Sequence, residues 1–241
     1  MVSTGRSPKV VGIRQGRGAA GDATTSVIIA IVTTLCFVLQ YYSGWEPAIS
    51  YAAGFLPGRV GHPDLLDATA IGLPIVPTWL TPLSASLLHG SWMHLGFNML
   101  ILLYCGRQVE LVLGRGLYLL LYILGAYGAA FGQWLLGPNV MIPMIGASGA
   151  ISAVIGAYAL LYSAREVRAF GPIPASVVRM LWLGAGWIFL QFLVGLASRG
   201  GGMPGSGGDA VAVGAHAGGF ILGMILVRPL LRIRFGRTVR H

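Results

Sequence analysis

Five stretches of this chain contain no Asp, Glu, Lys or Arg: residues 23–45, 68–106, 116–164, 180–198 and 210–227. A membrane-spanning helix needs about 20 mostly apolar residues, so each stretch holds at least one span. Two of them are too long for a single helix. The run 116–164 is interrupted at Gly137-Pro138-Asn139 and Pro143, where a helix should end. The run 68–106 carries Pro74, Pro77 and Pro82 before an uninterrupted apolar segment. Its proline-rich part reads as a loop on the membrane surface. The pattern predicts six helices, at about 25–43, 90–105, 117–136, 147–163, 177–197 and 210–227. The fold class is therefore an all-α membrane protein, a six-transmembrane-helix bundle. A single membrane domain over 25–227 lies between basic tails at 1–24 and 228–241.

Composition agrees with this reading. The chain is 55% apolar and only 10% charged, against roughly 25% charged in soluble domains. A net charge of +9 could suggest nucleic acid, but the placement of the charge argues against it. With six spans both termini share one side, and 14 of the 16 basic residues fall on that side, with only Arg59 and Arg199 opposite. The positive-inside rule then puts both termini in the cytoplasm. The first span follows a 24-residue hydrophilic lead with no clear small-x-small site after it, and is expected to be retained. Cys36 and Cys105 both fall within spans, so no disulfide framework is expected. The run from Gly200 to Gly208 reads as a loop before the last helix, and no pattern sets an oligomeric state.

In an apolar chain the polar exceptions carry the information. They form three groups: His89-Gly-Ser-Trp-Met-His94-Leu-Gly-Phe-Asn98, Gly146-Ala-Ser148-Gly149, and Ala215-His216-Ala-Gly-Gly219-Phe-Ile-Leu-Gly223. Each lies near the start of the second, fourth or sixth helix. Those helices run in the same direction, so the groups share a depth toward the outer face. His89 is placed at the membrane surface. A lone membrane serine usually serves packing, and a lone asparagine can simply bond across helices. One serine, three histidines and an asparagine at one level are harder to explain that way. Histidine is the commonest base near neutral pH and can activate a serine hydroxyl. The Ser148 N–H at a helix N-terminus, with His94 and Asn98 on one helix face, could supply donors to an oxyanion. Ser148, Ser152 and Gly156, facing Gly219 and Gly223, form small-residue stripes that allow close helix approach.

These residues resemble the rhomboid family of intramembrane serine proteases. The matching pieces are His-x4-His-x3-Asn at His89, His94 and Asn98, then Gly-x-Ser-Gly at Gly146 to Gly149, then Ala-His-x2-Gly-x3-Gly at Ala215 to Gly223. The segment from Gly106 through Glu110 to Gly114 also looks like the family's. The resemblance implies a six-helix bundle with a serine–histidine dyad and no third acidic member. Ser148 would be the nucleophile and His216 the general base, then acid. His94 and Asn98 would line the oxyanion hole, with His89, Gly146, Gly149 and Gly219 in support. The resemblance implies no cofactor and no metal. The implied partners are transmembrane protein substrates cut near the outer end of a helix, and the lipid bilayer, not nucleic acid. The implied location is a plasma (inner) membrane. Two positions depart from the family pattern: Trp79-Leu80 stands where Trp-Arg is frequent, and Ser152 where some members carry an aromatic. Competing readings are a catalytically silent rhomboid-fold protein that binds or escorts membrane helices, a metal enzyme using His89, His94 and His216, and a transporter. The first keeps no use for an intact serine–histidine pair. The second lacks acidic ligands in the predicted second, fourth and sixth spans. The third should show charged mid-membrane positions.

Overall fold

The computed structural model describes residues 23–162, 208–236 and, between them, 170–175, 177–178, 181–182, 184 and 186. Among these residues there is no strand, only isolated bridges such as Phe55 with Met144. Four helices among the described residues are long and apolar enough to cross a membrane: Thr24–Tyr42, Trp92–Leu113, Arg115–Leu136 and Val213–Phe235. Their outward side chains include Ile28, Leu35, Leu119, Phe131, Leu135 and Ile225, all exposed. Large apolar groups that point away from the core on every long helix belong in lipid. The chain is an integral membrane protein. Most of the span expected over 177–197 and most of the Gly200–Gly208 run lie outside the described residues, as does the tail before Ala23.

Helix α1 (Thr24–Tyr42) enters with its first amides bonded to a distant carboxylate. Glu110 accepts from Thr25 N–H at 2.7 Å, Ser26 N–H at 2.9 Å and Ser26 Oγ at 2.7 Å. A negative charge at a helix N-terminus satisfies orphan donors and complements the helix dipole. That bond explains a difference from the sequence reading. The second span was expected over 90–105, with the charged residues after it in a loop. Instead α5 (Trp92–Ile101) passes through a π-turn at Leu102–Gly106 into α6 (Arg107–Leu113), so Glu110 is helical and only 2% exposed.

The proline-rich connection is not a plain surface loop. It contains α2 (Glu46–Ala53), α3 (Ala68–Ile71) and α4 (Thr81–Ala85), with 3-10 turns between them. Its backbone groups find partners in the molecule, as buried ones must. Phe55 and Met144 exchange both backbone bonds, at 3.0 and 2.8 Å, and Gly58 N–H donates to the Val140 carbonyl. No arginine follows Trp79 here. The loop is tied down by Arg59, which donates to the Val76 carbonyl at 3.2 Å, and by the Tyr127 hydroxyl, which donates to the Trp79 carbonyl at 3.0 Å.

Helix α7 (Arg115–Leu136) forms as expected. Helix α8 (Ser148–Tyr162) has 15 residues, about 22 Å at ~1.5 Å per residue and short of a ~30 Å hydrocarbon layer. It is buried on all sides, which is why it is apolar all round rather than striped. Helix α9 (Gly208–Phe235) continues past the expected end at 227, carrying Arg228, Arg232 and Arg234 as helical residues. It lies wedged between α7 and α8. A Cβ at Gly219 or Gly223 would run into the Gly149 or Ala153 carbonyl of α8. On its other side Gly214 and Gly218 meet Gly132 and Gly128 of α7.

Candidate active site

The wedge of α9 brings together two residues 68 positions apart. The Ser148 Oγ lies 2.8 Å from His216 Nε2. His216 is 6% exposed, so the contact sits in the protein interior. Ser148 opens α8, whose first amides have no acceptor inside the helix. The turn that delivers it needs Gly146 at φ +121, a conformation that side chains with a Cβ avoid. Space reinforces this: a Cβ there would approach His94 Cε1 to 2.7 Å. The His94 imidazole therefore lies directly over the turn that precedes Ser148.

His94 is set by its own helix start. Ser91 caps α5 and accepts from the His94 N–H at 3.1 Å. Asn98, one turn on and 3% exposed, donates through Nδ2 to the His94 carbonyl at 3.0 Å. That contact is within its own helix rather than with Ser148 or His216.

His89, expected at the membrane surface, is enclosed by protein. It is fully buried, because the connection that precedes it folds back under the helix ends. Its Nε2 accepts from the Ala147 N–H at 3.5 Å, which leaves Nδ1 to carry the proton on the neutral ring. The ring packs edge-on against His94, centroids 4.9 Å apart, and against Phe37 of α1 at 6.3 Å. Burial, with a further push from His94, drives its pKa down to about 3, so it stays neutral.

Two residues in the surroundings escaped the sequence reading. Gln40 of α1 holds the His89 backbone from both sides, donating to its carbonyl at 3.1 Å and accepting from its N–H at 3.2 Å. Gln133 of α7 accepts from the Ala215 N–H at 3.3 Å, next to His216. The signal was present: each is an uncharged amide inside an apolar run. Ser152, one turn after Ser148, donates to the Ser148 carbonyl at 2.8 Å. In chemical terms, a buried imidazole nitrogen within hydrogen-bond reach of a serine hydroxyl can take its proton as the oxygen attacks an electrophile.

A family profile described as the Rhomboid domain matches residues 77–233. The rhomboid protease GlpG of Pectobacterium atrosepticum is 29% identical over 210 residues, covering 86% of this chain and 62% of that protein. The mitochondrial rhomboid protein 1 of Saccharomyces cerevisiae is 30% identical over 57% of this chain and 38% of its own length. The rhomboid protease GluP of Bacillus subtilis is 30% identical over 58% and 27% respectively. The chain thus spans less than two thirds of each of these relatives. The profile match covers more than half of the chain and takes in the helices of His94, Ser148 and His216, and on that ground the chain belongs to the rhomboid family.

Proposed function

We propose that this chain is an intramembrane serine endopeptidase that cuts transmembrane helices of other proteins near their outer ends. The observation that carries the reading is the partly buried 2.8 Å contact between Ser148 Oγ and His216 Nε2. Ser148 is the nucleophile. As its oxygen bonds to the scissile carbonyl carbon, its proton passes to His216 Nε2. The Ser148 N–H with the His94 and Asn98 side chains stabilises the oxyanion. His216 then protonates the departing amine, which leaves the acyl-enzyme. In the second half it takes a proton from water and returns it to Ser148 as the ester breaks. His89 supports the loop through Ala147, while Gly146, Gly149 and Gly219 provide the turn and the close approach of α8 and α9. The peptide bond to be cut must leave its helix first, because helical hydrogen bonds shelter it in lipid.

The relatives named protease support this reading, and so do the ring contacts. His89 Nε2 is engaged by Ala147 and His216 Nε2 by Ser148, which favours a dyad over a three-histidine metal site. In the full assignment the fifth of six helices spans 177–197. The tails 1–24 and 228–241 lie in the cytoplasm, and the membrane is the plasma (inner) membrane. The test is cleavage in liposomes of a reporter whose transmembrane helix carries small and helix-breaking residues near one end. Wild-type protein should release a fragment cut inside or at the edge of the helix. An intact reporter across a panel of such helices would instead favour a helix-binding member without proteolysis.

A further inference from the structure

A second cavity, of about 650 Å³, opens between the first connecting loop and α7. Trp79, Tyr127, Ala130, Phe131 and Trp134 are part of its wall, and Arg59 lines it too. None of Ser148, His216, His94 or Asn98 does, so it is separate from the dyad. Trp79 and Phe131 are 67% and 58% exposed, which opens the cleft to the lipid side of the protein.

Arg59 gives the cleft its chemistry. It is only 3% exposed. Its Nη2 donates to the Val76 carbonyl, while Nε and Nη1 are buried and bond to no protein group. A guanidinium stays charged at any physiological pH, and a buried charge requires a partner. Nε shares one edge of the planar fork with Nη2 and Nη1 shares the other, and either edge can present two parallel N–H groups to two oxygens of a phosphate or carboxylate. The rest of the lining is mostly apolar, and Trp and Tyr are the residues that settle at headgroup level. A cation at one wall of an aromatic cleft that faces lipid matches an amphiphile with an anionic head and an apolar tail. A peptide fits worse, because its backbone amides would need acceptors that this lining does not offer.

We propose that the cleft binds one glycerophospholipid of the leaflet on the Ser148 side. Its phosphodiester pairs with the edge of the Arg59 guanidinium that the Val76 bond leaves open, and an acyl chain lies along Tyr127, Phe131 and Trp134. Nε and Nη1 are enclosed, so the headgroup enters as the side chains around them rearrange.

The test is native mass spectrometry of the full chain in a maltoside detergent, titrated with palmitoyl-oleoyl phosphatidylglycerol. Wild type is compared with Arg59→Gln and Val60→Trp. Val60 is a partly exposed cleft residue, so its replacement obstructs the cleft while leaving the guanidinium in place. The proposal expects one tightly held lipid on wild type, at least tenfold weaker binding in each variant, and no competition from inorganic phosphate. Should Arg59→Gln fail to fold, Val60→Trp decides. Equal lipid binding by wild type and Val60→Trp would overturn the proposal. So would displacement of the lipid by inorganic phosphate, which would mark a simple anion site. Binding of an acidic transmembrane peptide with no phospholipid binding would overturn it as well, in favour of a protein partner.

Discussion

Helix α1 touches a buried polar centre at each end, and the two centres differ in how fully their groups are bonded. At its start, Glu110 accepts three hydrogen bonds of 2.7 to 2.9 Å from Thr25 and Ser26. Near its other end, Gln40 grips the His89 backbone, His89 supports Ala147, and one residue later Ser148 meets His216 through a single 2.8 Å contact. Both centres use side chains to meet buried donors and acceptors, and both put polar groups at a helix N-terminus. A carboxylate saturated by fixed donors stabilises and has nothing left to react with. In the proposed function, a hydroxyl within reach of an imidazole at the start of a helix is placed for proton transfer. Saturation distinguishes an anchor from a site for chemistry.

Breaking the saturated centre should have the largest effect on stability. Glu110→Ala leaves two helix amides of α1 and the Ser26 hydroxyl without their acceptor, at a cost of about 3 kcal/mol. At roughly 2–4 °C per kcal/mol for a chain of this size, thermal unfolding in detergent should fall by about 6–12 °C. Proteolysis per folded molecule at low temperature should stay within about threefold, because the dyad lies at the other end of α1; a loss on the order of 100-fold (about 2.7 kcal/mol at the transition state) would show the two centres to be coupled. Glu110→Gln keeps one acceptor oxygen and should fall between.

The middle of the scale tests the relay from Gln40. Gln40→Met keeps the volume and removes both bonds to the His89 backbone. With His89 less firmly placed, the turn before Ser148 loosens. A misplacement worth about 1.4 kcal/mol at the transition state is tenfold in rate, and the expected result is about a tenfold fall in kcat with KM little changed. A fall in thermal stability with kcat untouched would reduce Gln40 to a packing role.

The last test concerns pH. His89 binds a proton near pH 6.5 when unfolded but only near 3 when folded. Between those values the unfolded state holds more protons, so stability is complete above about 6.5 and declines as pH falls toward 3. Unfolding temperatures measured from pH 7 to 4 should drop with a slope that is shallower in His89→Gln. Identical slopes would mean that His89 is not held neutral by its burial.

The meeting of Ser148 and His216 was legible in the sequence because polar residues stand out in an apolar background and because direction fixes depth. Ser148 and His216 sit at like positions on helices running the same way. The stripe of Gly219 and Gly223 against α8 was legible too, since small residues at four-residue spacing write a contact face. The matching face toward α7, where Gly128 and Gly132 meet Gly218 and Gly214, follows the same spacing rule. Other features leave no periodic trace. The Glu110 cap and the Gln40 clamp join side chains to backbone 84 and 49 positions away, and no local spacing encodes such a pair. The burial of His89 follows from how the connection folds beneath the helix ends, which composition alone does not set. The extension of the second helix to Leu113 brings Glu110 to the start of α1, a long-range pairing that the local sequence does not encode.

The central claim is that Ser148 is an activated nucleophile, and fluorophosphonate labelling of the purified chain in detergent tests it most directly. Intact mass and peptide mapping would compare wild type with Ser148→Ala and His216→Ala. The account predicts one adduct on wild type, mapped to Ser148, and none on either variant while both purify as folded protein. Labelling of His216→Ala at the wild-type rate, or no adduct on folded wild type, would contradict it.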